Sequence, residues 1–123
     1  MDIEQYKSDS ERTLIDKGHE MNLLHAAMGI GTEAGELLDA FKRQLFYGKP
    51  LDVVNIKEEV GDLMWYVAIL LRELDLDFQE ILDLNIQKLR ARFPDKFTED
   101  HALNRDLETE RAILEQRDQM SHS

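Results

Sequence analysis

Apolar positions recur at helical spacing along most of the 123 residues. Ile3, Tyr6, Leu14 and Ile15 outline a first helix from about Ile3 to Ile15. Lys17-Gly18-His19 would end it, because glycine is a common helix stop and histidine suits a last turn. Leu23, Ala27, Ile30, Ala34, Leu37, Phe41 and Leu45 mark one face of a second helix, about Asn22 to Phe46. Gly29, Gly31 and Gly35 are costly inside a helix, at about 1 kcal/mol each relative to alanine. They point either to another backbone close by or to a local break in the helix.

Tyr47 to Leu51 reads as a loop, and Asp52 as the N-cap of a third helix that runs to about Leu74. Val53, Ile56, Val60, Leu63, Val67, Leu70 and Leu74 form its seam. From Leu63 to Leu71 it is apolar all round, which calls for a central position and, in so short a chain, for contact with another subunit. Asp77 and Glu80 give a capping-box-like start to a fourth helix carrying Phe78, Ile81, Leu82, Leu89 and Phe93, which Pro94 ends. Asn104 to Arg117 patterns as a surface helix. The chain thus reads as a single helical domain over residues 1–118, with its core at about 20–97 and a frayed end at 119–123.

Composition narrows the function. A net charge of −11 argues against nucleic-acid or anionic-membrane binding, which both use basic surface. A small anionic substrate stays compatible if a metal and local basic side chains offset the field. There is no cysteine, which rules out disulfides and thiolate metal sites and suits a reducing compartment. The polar, acidic start has no signal-peptide layout, and Leu63 to Leu71 is far shorter than a membrane span of about 20 residues. The expectation is a cytoplasmic protein.

Candidate chemistry centres on two carboxylate pairs, Glu33 with Glu36 and Glu59 with Asp62. Residues i and i+3 lie on one side of a helix, a turn apart. If the second and third helices fold back on each other, all four carboxylates converge. Two carboxylates about 6 Å apart repel by roughly 3 kcal/mol at an effective dielectric of about 20. A converged set therefore calls for a cation, and Mg2+ takes carboxylates, water and substrate phosphates together. A single such pair on a solvated helix would cost only tenths of a kcal/mol and need no ion. Asn85, Lys88 and Arg92 share one face of the fourth helix, with Lys96 just beyond. Such a row suits phosphate oxygens, and equally an ordinary basic face near a helix C-terminus. Lys42, Arg43 and Lys49 form a second basic group. Trp65 and Tyr66 read as core or interface rather than base-stacking residues. His25 reads as a packed or hydrogen-bonded histidine rather than a metal ligand, since the chain has no HExxH or ExxH motif.

Together these residues resemble the MazG-like nucleotide pyrophosphohydrolases of the all-α NTP pyrophosphohydrolase superfamily. The family pattern of ExxE, a spacer and ExxD is met by Glu33-Ala34-Gly35-Glu36 and Glu59-Val60-Gly61-Asp62, with Glu58 matching a doubled glutamate. Leu24-His25-Ala26-Ala27-Met28-Gly29, Tyr47-Gly48-Lys49-Pro50-Leu51-Asp52, and Asn85 with Lys88, Arg92, Phe93 and Pro94 also look like the family. The resemblance covers roughly Leu23 to Glu115. It implies an all-α, four-helix-bundle-like fold with a short N-terminal helix and a C-terminal tail helix, assembled as a homodimer or homotetramer. It further implies Mg2+-dependent (or Mn2+-dependent) hydrolysis of nucleoside triphosphates to the monophosphate and pyrophosphate, as nucleotide-pool house-cleaning. Glu33, Glu36, Glu59 and Asp62 would hold the metal and serve catalysis. Asn85, Lys88, Arg92 and Lys96 would bind substrate. Phosphoribosyl-ATP hydrolysis, a non-catalytic binding module and a di-iron carboxylate protein are the competing readings. The last usually needs ExxH pairs, and here the third positions are Glu36 and Asp62.

Overall fold

The computed structural model describes residues 1–94 and 98–121, with side chains as far as residue 115. Among the described residues there are six helices and no strands: α1 Ile3–Arg12, α2 His19–Tyr47, α3 Val53–Glu73, α4 Phe78–Arg92, α5 Glu99–Leu103 and α6 Leu107–Ser121. The all-α expectation holds. The chain divides into two compact units, Met1–Leu76 and Asp77–Ser123.

In the first unit α2 and α3 form an antiparallel pair. The turn between them starts at Gly48, whose φ of 63° lies in the left-handed region that glycine enters without strain. The Arg43 carbonyl accepts from both the Gly48 and Lys49 N–H groups. Asp52 caps α3 as expected, accepting from the Asn55 N–H at 3.2 Å.

Three contacts along the pair set its register. At the open end, Asn22 Nδ2 donates to Glu73 Oε1 at 2.9 Å. In the middle, Gly29 lies against the ring of Tyr66, so closely that a Cβ there would collide with it. Toward the turn, Glu33 meets Glu59 and Asp62. The glycine is therefore explained by an aromatic ring rather than by a second backbone, and α2 is unbroken. Gly31 and Gly35 face open space.

The buried face of α2 overlaps the expected one only in part: Leu23, Ile30 and Leu37 are half-buried. Asn22, Ala26 and Gly29 are buried, whereas Ala27, Ala34, Phe41 and Leu45 are exposed. These three polar or small positions win the packed face because the bulk that fills it comes from α3, through Tyr66 and the buried Ile69. On α3, Ala68, Ile69 and Leu71 are buried and Trp65, Tyr66 and Val67 half-buried. Most of the all-round apolar segment is thus covered within the chain, and extensive uncovered apolar surface lies on α2.

The first helix is shorter than its apolar pattern. Thr13 ends it: its hydroxyl donates to the Ser10 carbonyl at 2.8 Å and accepts from Trp65 Nε1 at 2.8 Å, which ties the helix end to α3. Leu14 and Ile15 lie beyond the helix. Gly18, expected to end α1, instead precedes α2 with φ 92°. Asp16 Oδ1 accepts from the Gly18 N–H at 2.9 Å and from Asn22 Nδ2 at 3.0 Å.

In the second unit Asp77 caps α4, accepting from the Glu80 N–H at 3.1 Å. The α4 and α6 helices pack together. The short α5 was not anticipated; Thr98 caps it through the His101 N–H. α6 starts at Leu107 rather than Asn104 because Asp106 takes both the Thr109 N–H and its hydroxyl, at 3.0 and 2.7 Å. Residues 122 and 123 of the expected frayed end lie outside the described residues.

Candidate functional site

The antiparallel register brings Glu33 of α2 to Glu59 and Asp62 of α3. One carboxylate oxygen from each lies within 4.8 Å of the other two. Glu33 and Glu59 are half-buried and Asp62 is exposed, so the cluster opens to solvent on one side. Glu33 Oε2 is buried with no hydrogen-bond partner. A buried carboxylate oxygen without a donor is costly, and a cation is the simplest group to satisfy it.

The electrostatics agree. The Glu59 carboxyl is held above the usual range, first by its hydrogen bond to Glu33, then by burial and by the charges of Glu33 and Asp62. Glu33 and Asp62 oppose the charge on Glu59, and a divalent ion among the three carboxylates would relieve that opposition. An all-oxygen donor set of this kind suits a hard cation such as Mg2+ or Mn2+ and not a soft one.

Glu36 is exposed and stands one turn farther along α2. It lines a cavity of about 410 Å³ at the turn end of the pair, together with Arg43, Lys49 and Asn55. Arg43 is paired with Asp39 at 2.7 Å. The second basic group of the sequence thus stands beside a carboxylate of the first motif. Glu58 is exposed on α3.

Tyr6 was read from the sequence only as an apolar position of the first helix, not as a neighbour of the carboxylates. Its hydroxyl is pushed up by burial and, secondarily, by the charge of Asp62. No spacing rule links α1 to α3, so the pattern carried no signal for it. His25 is exposed and stands edge-on to the Tyr66 ring at 5.6 Å, and Trp65 in turn packs edge-on to Tyr66 at 5.2 Å. Both aromatics belong to the packing of the first unit, as expected.

Of the expected substrate-binding residues, Asn85 is exposed and Lys88 half-buried on α4. Arg92 is engaged: its Nε donates to Glu110 Oε1 at 2.7 Å, and Arg105 Nη2 donates to Glu110 Oε2 at 2.7 Å. The Glu110 carboxyl is consequently lowered to about 2, by Arg92 first and Arg105 next. Lys96 lies outside the described residues. No helix among the described residues is long and apolar enough to cross a membrane.

Comparison with known proteins bears on this arrangement. The MazG nucleotide pyrophosphohydrolase domain model matches residues 23–97, which include both carboxylate pairs and the Asn85–Lys88 face. The Gene 37 protein of Mycobacterium phage L5 is 34% identical over 77 residues, covering 57% of this chain and 65% of that protein. No solved structure matches.

Proposed function

Because the chain belongs to the MazG nucleotide pyrophosphohydrolase domain family, we propose that it hydrolyses nucleoside triphosphates, deoxynucleotides included, to the monophosphate and pyrophosphate. The reading rests above all on one observation: three carboxylates of two helices lie within 4.8 Å of one another, and one of their buried oxygens lacks a partner. In this proposal Glu33, Glu59 and Asp62 hold Mg2+, with Mn2+ as a substitute, and Glu36 completes the set from the neighbouring turn. When bound, the ion supplies charge neutralisation at the phosphoryl oxygens and a more acidic water.

The side chains have separate tasks. Glu33, held half-buried between the helices, fixes the site from the α2 side. Glu36, exposed at the cavity edge, is free to orient or deprotonate the attacking water. Asn85 and Lys88 contact phosphate or sugar. Arg92 joins them only where Glu110 shares its guanidinium, and Lys96 is the remaining basic candidate. We further assign the protein to a homo-oligomer acting on the cytoplasmic nucleotide pool.

A pyrophosphate-release assay over a panel of NTPs, dNTPs and damaged dNTPs with Mg2+ tests this. Monophosphate plus pyrophosphate is expected, lost in Glu33→Gln and Asp62→Asn. Absence of turnover for every triphosphate, with phosphoribosyl-ATP also untouched, would sink the reading and leave a binding module.

A further inference from the structure

Leu84, Lys88 and Arg92 are spaced four residues apart, so they run along one side of α4. Leu84 is buried. The Arg92 side chain is 16% exposed, and its fork closes on Glu110 of α6, with Nε to Oε1 at 2.7 Å and Nη2 to Oε2 at 3.3 Å. This is therefore the side of α4 that packs on α6. Lys88 sits between the two fixed points. It is half-buried and makes no hydrogen bond or ion pair with a described residue.

Glu110 is itself held in place. Asp106 takes the Thr109 N–H and hydroxyl on its carboxylate, and its carbonyl accepts from the Glu110 N–H at 3.1 Å, which fixes the first turn of α6. Arg105 grips the Glu110 carboxylate as well, Nη2 to Oε2 at 2.7 Å. The carboxyl, lowered to about 2 by Arg92 first and Arg105 next, is ionised throughout the neutral range. Arg105 and Glu110 both lie beyond residue 97, where the family match ends. α4 stops at Arg92, and a last turn frays unless a tertiary contact holds it. The Arg92–Glu110 clasp is such a contact, one turn from Lys88.

The basic row of α4 thus holds two kinds of cation. A charge-assisted fork to a buried carboxylate is strong, and breaking it would leave Glu110 ionised and short of partners in the interior. A phosphate would have to displace that fork to reach Arg92. The half-buried, unpaired ammonium of Lys88 faces no such penalty and gains by meeting an anion. Resting on the pyrophosphohydrolase reading, in which Lys88 meets phosphate, we infer that Arg92 and Glu110 are positioning residues. Their clasp seats the last turn of α4 on α6 and so aims Lys88, while Arg92 itself stays off the substrate. α6 is then a working part of the substrate-binding face.

The two roles for Arg92 predict opposite signs. Glu110→Gln releases the Arg92 fork. A substrate-binding Arg92 would then take phosphate more tightly, whereas a positioning one leaves Lys88 loosely aimed and binding weaker. The probe is inorganic triphosphate with Mg2+, followed by isothermal titration calorimetry at neutral pH, well below the melting temperature. Glu110→Gln is expected to bind about tenfold more weakly than wild type, the scale of one charge-assisted hydrogen bond. In steady-state turnover its KM for a nucleoside triphosphate should rise by a similar factor with kcat retained, a split that partial unfolding does not produce. Arg92→Met should lose as much. Adding Glu110→Leu should restore most of it, because an apolar pair of similar volume can replace a buried ion pair. No guanidinium remains at position 92 in that double variant. Binding in Glu110→Gln as tight as wild type or tighter, or no recovery in the double variant, would overturn the inference and return Arg92 to the substrate. A wild type that binds no triphosphate would fail the pyrophosphohydrolase reading, and the positioning role with it.

Discussion

Gly29 of α2 lies under the ring of Tyr66 of α3, with no room between them for a β-carbon. The contact sits between the Asn22–Glu73 hydrogen bond and the carboxylate cluster, so it sets how α2 is seated where Glu33 must reach Glu59 and Asp62. Gly29→Ala is expected to destabilise the protein by about 1–3 kcal/mol, the usual cost of overpacking, despite alanine's better helix propensity. The Glu33 cluster should loosen with it. Thermal melts and metal titration of the same variant check both effects; an unchanged melt would show that Tyr66 yields freely.

The carboxylate cluster gives a prediction about stability as well as activity. Glu59 is strained by its neighbours, its carboxyl raised by Glu33, burial and Asp62. Glu59→Gln should therefore raise the melting temperature in the absence of divalent metal. In wild type, Mg2+ should raise it through binding to the folded state, and that rise should disappear in Glu59→Gln. Differential scanning fluorimetry with EDTA and with graded Mg2+ measures both. A variant that keeps the Mg2+-dependent rise would remove Glu59 from the site.

In the second unit, Glu110 joins α6 to α4 through Arg92 and is itself 5% exposed at its side chain. Its carboxyl is lowered to about 2 by Arg92 and Arg105. The stability this lends is complete above the unfolded carboxyl's pKa of about 4.3. It is lost as pH falls from there through about 2. Glu110→Gln should flatten that acid limb of the melting curve, and it should lower the neutral-pH melting temperature by about 5 °C or more. An acid limb identical to wild type would count against the pair.

Asn22 is 4% exposed and makes three hydrogen bonds, to the Lys17 N–H, to Asp16 and to Glu73. Asn22→Ala removes all three and leaves Glu73 less satisfied beside its remaining partners, His19 and Arg72. A loss of about 2–4 kcal/mol is expected, at about 1 kcal/mol per bond plus the unsatisfied groups left behind. Chemical denaturation measures it directly.

Helix identity was legible in the sequence because caps and period agree: Asp52 and Asp77 cap α3 and α4 where their pattern predicts. The convergence expected of four carboxylates is met by three, Glu33, Glu59 and Asp62, which one short loop brings together; Glu36, a turn along α2, lines the cavity beside them instead. The packed face of α2 was legible only in part, through the half-buried Leu23, Ile30 and Leu37. Hydrophobicity favours Leu23 and Phe41 over Asn22 and Gly29, yet a partner's aromatic ring and a long-range carboxylate made the latter the buried ones. The ends of α1 and α6 were misjudged for a related reason. Thr13 and Asp106 end or start helices through hydroxyl and carboxylate bonds that apolar periodicity does not record. The role of Glu110 carried no signal in the sequence, since its partners Arg92 and Arg105 lie 18 and five residues away and only the packing of α4 on α6 brings all three together.

The turn from Gly48 to Asp52 closes α2 onto α3 without contributing any of the three contacts that index one helix against the other. Those contacts work like teeth spaced along two racks, and the hinge that joins the racks can be rebuilt without shifting the teeth. Length in this loop is therefore neutral with respect to the carboxylate geometry, so long as a left-handed residue ends α2 and a capping side chain starts α3. Related chains are free to vary the distance in sequence between their two acidic motifs while keeping the distance in space.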